Sequence, residues 1–224
     1  MKVSVVIFPG SNCDRDVKWA FELCCNADAE MIWHAEKSLP SDTDIVVLPG
    51  GFSYGDYLRC GAMAAKSPIM KSVAEFAQRG GLVIGICNGF HILTEAKLLP
   101  GALLPNASTK FICRSCQIII ERNDTPFTQL YEKNEIVNFP IAHHDGLFYL
   151  DDDSLTILEE SGCVVFRYAD NLNGSLNAIA GITNKEGNVL GLMPHPERVV
   201  HPLVGGEGGV RFFKGLSKWV KEMR

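Results

Sequence analysis

The segment Gly85-Ile86-Cys87-Asn88-Gly89 places a thiol between two glycines, where an apolar run ends and a helical pattern begins. Small residues on both sides of a nucleophile permit the sharp strand-to-helix turn that presents serine in many hydrolases, and the same logic extends to cysteine. The N-terminus of the following helix lowers a nearby thiol's pKa, because its N–H groups and dipole favour the thiolate. Cys87 is therefore the candidate nucleophile, and the competing interpretation is a buried cysteine at a glycine-rich strand end.

A thiol nucleophile needs a base, and the base needs a group that orients it. The segment 193–197, MPHPE, supplies both in His195 and Glu197. Pro196 excludes a regular helix between them, and in an extended chain residues i and i+2 point to the same side. We expect His195 and Glu197 to face one site, where the carboxylate stabilises an imidazolium. A surface turn with a solvated pair is the competing interpretation.

Two backbone N–H groups are candidates for an oxyanion hole. One belongs to Asn88, directly after the candidate nucleophile. The other belongs to Gly51, in the Pro-Gly-Gly turn that ends a neighbouring predicted strand. Tight turns supply such donors in acyl-transfer sites. Taken alone, the Pro-Gly-Gly turn is equally typical of an ordinary loop.

The elements that must position these residues alternate in type through the first half of the chain. Apolar runs predict strands at 2–8, 30–36, 44–51 and 81–87, and helical patterns lie at 14–25, 67–79 and 88–97. Apolar runs without polar alternation, separated by helices, indicate a parallel sheet covered on both faces. Ligands bind beyond the carboxyl ends of the strands in such sheets.

The second half is richer in predicted strands. They lie at 111–121, 135–146, 155–160, 163–170, 177–184 and 188–197, and a helical pattern follows at 208–224. We predict one α/β domain spanning 1–224. Its central sheet is expected to be mostly parallel, with helices on both faces and added antiparallel strands.

Composition excludes several classes of protein. The 224 residues include 21 basic and 26 acidic side chains, a net charge of −5 without a basic run, so non-specific nucleic-acid binding is not expected. No apolar stretch approaches the roughly 20 residues of a membrane helix, and the short run near the N-terminus is interpreted as a strand. Eight cysteines without regular spacing favour reduced thiols in the cytoplasm. The Cys113/Cys116 pair lacks further ligands, so no metal is predicted.

The combined pattern resembles the class I, or triad, glutamine amidotransferases, whose fold is flavodoxin-like. Within that family it is similar to the small, separately encoded glutaminase subunits of phosphoribosylformylglycinamidine synthase. The resemblance extends from residue 8 to residue 198. Its segments are FPGSNCDRD, LPGGFSYGDYLRCGA, GICNGFHIL, LPNAS, PIAHHDG and MPHPER.

The resemblance implies hydrolysis of L-glutamine to glutamate and ammonia through a glutamyl thioester on Cys87, with His195 and Glu197 completing the triad. Ammonia would pass to a large synthetase subunit that converts formylglycinamide ribonucleotide to formylglycinamidine ribonucleotide in purine biosynthesis. A small joining subunit would complete the complex. No cofactor is expected on this chain, since ATP and magnesium would bind the synthetase. The segment 54–59 would border both the active site and the synthetase.

The chain departs from the family pattern at the predicted glutamine-binding residues. His91 stands where the family usually has a glutamine that contacts the substrate. His143 and Gly146 match the family's AHGEG loop, whereas His144 and Asp145 differ by type. The predicted substrate-binding residues are therefore His91, His143 and Gly146. Two alternatives stay open: a related cysteine hydrolase such as a γ-glutamyl peptidase, or a weakly catalytic scaffolding subunit whose pocket His91 has impaired.

Overall fold

A nine-stranded sheet runs through the computed structural model of the chain, which describes residues 1–223. The strands are β1 (Lys2–Ile7), β2 (Asp28–Trp33), β3 (Ile45–Leu48), β4 (Leu82–Ile86), β5 (Ala102–Pro105), β6 (Ile112–Ile120), β7 (Ile136–His143), β8 (Asp145–Tyr149), β9 (Val164–Tyr168), β10 (Ile179–Thr183) and β11 (Val189–Leu192). The helices are α1 (Asp14–Cys25), α2 (Ile69–Gln78), α3 (Asn88–Glu95), α4 (Asp152–Glu160) and α5 (Val210–Glu222).

The strand order in the large sheet is β2-β1-β3-β4-β11-β10-β9-β6-β7. The five strands from β2 to β11 pair in parallel, and those from β11 to β7 pair in antiparallel fashion. Every residue of β3, β4 and β11 is buried, which accounts for their apolar runs without alternation. The predicted fold class, a mostly parallel sheet extended by antiparallel strands, is confirmed.

Helices cover the parallel part of the sheet and fix the ends of its central strands. Helix α5 buries Phe212, Phe213 and Leu216, and Phe213 meets Phe21 of α1 edge to face with ring centroids 4.9 Å apart. Helix α3 packs against β3, β4 and β11. Within residues 1–223, no helix combines the length and apolarity needed to cross a bilayer.

The structure corrects two predictions in the second half and adds one strand that was not predicted. Residues 155–160, predicted as a strand, belong to helix α4, because the carboxylate of Asp151 accepts the backbone N–H of Ser154 at 3.0 Å and caps it. The predicted strand 135–146 divides at His144 into β7 and β8. Strand β5, which no pattern indicated, pairs with β8 in a separate two-stranded sheet.

Candidate active site

Cys87 occupies a strained turn between β4 and α3. Its φ of +51° and ψ of −105° lie where non-glycine residues are rare. The two flanking glycines make the turn possible. A Cβ on Gly89 would lie 1.9 Å from the carbonyl oxygen of Leu48, and one on Gly85 would lie 2.5 Å from the carbonyl oxygen of Gly89. Helix α3 therefore begins directly against the sheet, and Cys87 projects from its N-terminus.

The side chain of Cys87 lines a cavity of about 180 Å³ at the carboxyl end of the parallel strands. The residue is 6% exposed, and its Sγ lies 3.9 Å from the carbonyl oxygen of Ala142. The cavity is lined by Gly51, Phe52, Asp56, Cys60, Cys87, Asn88, His91, Ala142, His143, His144 and Asp145.

His195 and Glu197 form a buried pair beyond the end of β11. Nδ1 of His195 lies 2.6 Å from Oε1 of Glu197, and the backbone N–H of His195 donates to the carbonyl of Pro140 at 2.8 Å. Nε2 of His195 and Oε2 of Glu197 are buried without a hydrogen-bond partner among the described residues. Nδ1 of the imidazole is thus held by Glu197, and Nε2 is available for a hydrogen bond.

Charges around His195 connect this pair to Cys87. Burial lowers the pKa of His195, but the carboxylate of Glu197 and, after it, the thiol of Cys87 raise it, so that the pKa lies well above 6.5. The structure therefore brings together Cys87, His195 and Glu197, although the thiol is distant from the other two along the chain.

Gly51 and Asn88 both line the cavity beside Cys87. Gly51 has a φ of +133°, and a Cβ there would lie 2.6 Å from the backbone nitrogen of Asn12. An isolated antiparallel bridge to Ser11 holds this turn. Asn88 is the first residue of α3, where the backbone N–H has no acceptor within the helix. Both predicted oxyanion donors therefore lie at the wall of the cavity.

His91 connects α3 to β8 across the cavity wall. Its Nε2 donates to the backbone carbonyl of Asp145 at 2.9 Å, and the residue is 5% exposed. Burial lowers the pKa of His91, with the neighbouring Asp145 opposing it, so the ring is neutral near pH 7. Because Nε2–H is engaged by the backbone, Nδ1 is the ring nitrogen left to act as an acceptor.

His143 ends β7 and also lines the cavity. Its Nδ1 lies 3.0 Å from Oδ1 of Asn106, and its Nε2 is buried without a partner among the described residues. Burial and then the nearby His195 and His91 lower its pKa to about 4. Gly146 does not line the cavity. A Cβ there would lie 2.3 Å from the ring of His143, so this glycine makes room for the imidazole.

Two carboxylates at the cavity were not among the predicted site residues. Asp56 accepts a hydrogen bond from Nδ2 of Asn88 at 3.1 Å, and Cys60 Sγ lies 3.6 Å from Oδ2 of Asp145. Burial raises the pKa of Asp56, and the nearby Asp145 raises it further. The position of Asp56 soon after the Pro-Gly-Gly turn was the available signal, since residues that follow such a turn remain near the strand end.

The Cys113/Cys116 pair lies on β6, where Cys113 is exposed and Cys116 is buried. Residues three apart on a strand point to opposite faces, so the two thiols do not converge. A different trio has ligand-type atoms within 4.8 Å of one another: Cys13, His195 and Glu197. Nη2 of Arg198 donates to the sulfur of Cys13 at 3.0 Å, so a positive charge already lies beside this trio.

Comparison with known proteins gives the class of the chain. The family model of the CobB/CobQ-like glutamine amidotransferase domain matches residues 1–220. The fold is also shared by a glutamine amidotransferase from Thermotoga maritima, with a TM-score of 0.58 and 16% identity over 100% of this chain and 85% of that one. The chain therefore belongs to the glutamine amidotransferase class and has its fold.

More similar relatives define the family within this class. The chain is 53% identical to the phosphoribosylformylglycinamidine synthase subunit PurQ of Zymomonas mobilis over 97% of this chain and 99% of that protein. It is 47% identical to a chain in the structure of PurLQS from Thermotoga maritima, with a TM-score of 0.90 and coverage of 98% of both chains. The chain belongs to the PurQ family of phosphoribosylformylglycinamidine synthase subunits, and it is a glutaminase.

Proposed function

We propose that the chain hydrolyses the side-chain amide of L-glutamine through a glutamyl thioester on Cys87. The observation that carries this proposal is the thiol of Cys87, which projects from a strained backbone turn into the cavity wall and acts electrostatically on the buried His195–Glu197 pair. Activity as a γ-glutamyl peptidase, or a purely scaffolding role, has no such specific support in the relatives of the chain.

In the proposed reaction His195 accepts the proton of Cys87 as the sulfur attacks the amide carbon. The resulting oxyanion accepts hydrogen bonds from the backbone N–H groups of Gly51 and Asn88. His195 returns the proton to the amide nitrogen, the C–N bond breaks, and ammonia leaves. A water molecule then gives a proton to His195 and attacks the thioester, which releases glutamate and regenerates the thiol. Glu197 stabilises the imidazolium of His195 both while the thioester forms and while it is hydrolysed.

The remaining cavity residues include candidates for contacts with glutamine. We assign the α-ammonium group to the carboxylates of Asp56 and Asp145, because these are the acidic side chains of the cavity wall. His143 and the free Nδ1 of His91 are proposed as further substrate contacts. Gly146 acts indirectly, since its missing side chain admits the ring of His143.

We further propose that the ammonia passes to a large synthetase subunit, which amidates formylglycinamide ribonucleotide. ATP and magnesium would bind that subunit, and a small joining subunit would complete the complex. The PurLQS of Thermotoga maritima supports an assembly of this kind. We propose that residues 1–224 form one glutaminase domain that works in the cytoplasm, where its eight free cysteines stay reduced.

The proposal is tested by measuring glutamate release from glutamine, first by this chain alone and then with its synthetase and joining subunits. We expect strong stimulation by the partners and no release by the Cys87→Ala variant. Cys163→Ala is the matched control, because it removes a buried thiol outside the cavity. Release that persists in Cys87→Ala, or that the partners leave unchanged, would contradict the proposed chemistry or the proposed coupling respectively.

A further inference from the structure

Cys13 is a buried thiol that the proposed chemistry does not use. It is 2% exposed and directly precedes helix α1. Its backbone N–H donates to the carbonyl of Gly50 at 3.3 Å, in the turn that carries the proposed oxyanion donor. A Cβ on Gly50 would lie 2.8 Å from Cε1 of His195 and 3.1 Å from Sγ of Cys13. The sulfur of Cys13 and the imidazole of His195 therefore both pack against Gly50 of this turn.

The sulfur of Cys13 also meets the charged groups behind the active site. The sulfur lies within 4.8 Å of a ring nitrogen of His195 and of a carboxylate oxygen of Glu197. The S–H group donates to Oδ1 of Asn12 at 3.1 Å, and the sulfur accepts Nη2–H of Arg198 at 3.0 Å. Nε of Arg198 lies 3.6 Å from Oδ2 of Asp16 on α1. Cys13 and Asp16 thus hold the guanidinium near Glu197, whose charge acts on Arg198.

We propose that Cys13 is a positioning residue for the His195–Glu197 pair. Its sulfur packs against the pair and holds the guanidinium of Arg198 next to Glu197. This role rests on the proposed function, because it acts through the base of that reaction. A metal ion is the other occupant that the trio of ligand-type atoms suggests, but the guanidinium already donates to the sulfur and its charge opposes a second cation.

Removing the sulfur would free Arg198 from its acceptor and leave a space beside the imidazole. A displacement of about 1 Å in a catalytic group can lower the rate about 100-fold. We expect Cys13→Ala to lower the glutaminase kcat of the assembled complex about 10- to 100-fold with little change in KM. Cys13→Ser keeps an acceptor for Arg198 and should retain most of the activity.

The pH profile separates positioning from a general loss of structure. The titratable groups that surround His195 are Cys13, Asp16, Cys87, Cys116, His143 and Glu197. Cys13 is among the groups that raise the pKa of His195. The limb of the kcat profile that reports His195 should therefore move to lower pH in Cys13→Ala and stay near the wild-type position in Cys13→Ser.

The experiment measures kcat, KM and the pH profile for Cys13→Ala, Cys13→Ser, Arg198→Met and the double variant Cys13→Ala/Arg198→Met. The double variant should lose no more than the worse single variant, since both changes break one contact. Cys163→Ala, which deletes a buried thiol elsewhere, should retain wild-type values. If Cys13→Ala does not fold, Arg198→Met tests the same contact: we expect a similar loss of kcat, and the loss of a nearby positive charge moves the limb that reports His195 to higher pH.

Wild-type kcat and pH profile in Cys13→Ala would overturn the proposal, as would equal losses in Cys13→Ala and Cys163→Ala. Additive losses in the double variant would also overturn it. If Cys13→Ala does not fold, wild-type kcat and pH profile in Arg198→Met would do so. These outcomes are distinct from failure of the proposed function, in which Cys87→Ala would keep glutaminase activity.

Discussion

At the scale of single residues, His195 is the group whose environment most clearly serves the proposed reaction. It is 2% exposed, and burial alone would keep its imidazole neutral. The adjacent Glu197 reverses this effect, so the base can hold a proton inside the protein. From the His195–Glu197 pair we predict both a kinetic effect and a pH dependence of stability.

The substitution Glu197→Gln keeps the size of the side chain and removes its charge. We expect the pKa of His195 to fall, because the substitution removes the largest of the contributions that oppose the effect of burial. The glutaminase kcat/KM should fall about 10²- to 10⁴-fold, since an unstabilised imidazolium is a poor general acid–base. An NMR titration of His195 together with steady-state kinetics checks both, and an unchanged pKa would contradict the assigned role of Glu197.

The raised pKa of His195 also sets the sign of a pH effect on stability. In the wild-type protein the stabilisation is complete below pH 6.5 and is lost as pH rises through the higher folded-state pKa. In Glu197→Gln the folded-state pKa would lie lower, so this contribution to the free energy of unfolding would be smaller and would be lost at a lower pH than in the wild type. Denaturant unfolding from about pH 5.5 to about pH 9 measures both curves. Parallel curves would contradict the prediction.

At the scale of elements, two turns and one helix N-terminus place the reactive groups. The turn at Gly51 is held by its bridge to Ser11, just before α1. The strained turn at Cys87 is held by the packing of α3 against the sheet. Because each turn depends on a missing side chain, small substitutions in the turns should affect catalysis more than substrate binding.

Gly51→Ala introduces a Cβ that would lie 2.6 Å from the backbone nitrogen of Asn12, at a φ of +133°. The turn must shift, and the proposed oxyanion donor shifts with it. We expect kcat to fall about 10²- to 10³-fold with a smaller change in KM. Gly187→Ala is the matched control, because Gly187 also has a positive φ but has no atom within 4 Å of the added Cβ. Equal kinetic losses in the two variants would contradict the assignment.

His91 connects α3 to β8 through the carbonyl of Asp145. Glutamine can donate the same kind of hydrogen bond, so His91→Gln should keep kcat and change mainly the KM for glutamine. His91→Ala should lower the stability by about 1 kcal/mol through the lost bond and raise the KM. Kinetics and denaturant unfolding check these outcomes. A collapse of kcat in His91→Gln would show a chemical role for the imidazole.

The sequence predicted the parallel half of the fold well, because buried parallel strands give apolar runs that glycine-containing turns interrupt. It also singled out Cys87, His195 and Glu197 by type and spacing, although their roles remain predictions. Residues 155–160 were misassigned because the apolar pair Leu155 and Ile157 suggested alternation, while the capping bond from Asp151 decided for a helix. The contacts of Cys13 depend on distant elements, so no local pattern reveals them, whereas the place of Asp56 after the Pro-Gly-Gly turn was a local signal for its position.

At the scale of the whole molecule, the proposed coupling requires a surface near the cavity for the synthetase. The loop after Gly51 carries Tyr57 and Leu58, which are 75% and 88% exposed, and the same loop contributes Asp56 to the cavity. Exposed apolar side chains beside a site are typical of interfaces. This loop is therefore the expected route by which binding of the partner reaches the active site.

Leu58→Asp should weaken assembly with the synthetase, because it adds a charge to an exposed apolar contact, and should leave the fold of the free chain unchanged. Ile157→Asp is the control, since Ile157 is a 54% exposed apolar residue on α4. Analytical ultracentrifugation of the mixed subunits measures assembly. Unimpaired assembly of Leu58→Asp, or equal loss in the control, would contradict this location of the interface.

In the proposed reaction, Cys87 supplies ammonia to chemistry performed by another subunit. The most direct measurement compares glutamine and ammonium chloride as nitrogen donors for synthesis of formylglycinamidine ribonucleotide by the complex that contains the Cys87→Ala variant. We expect glutamine-dependent synthesis to be lost while ammonia-dependent synthesis continues at the wild-type rate. Equal loss of both activities, or synthesis from glutamine without the thiol, would contradict it.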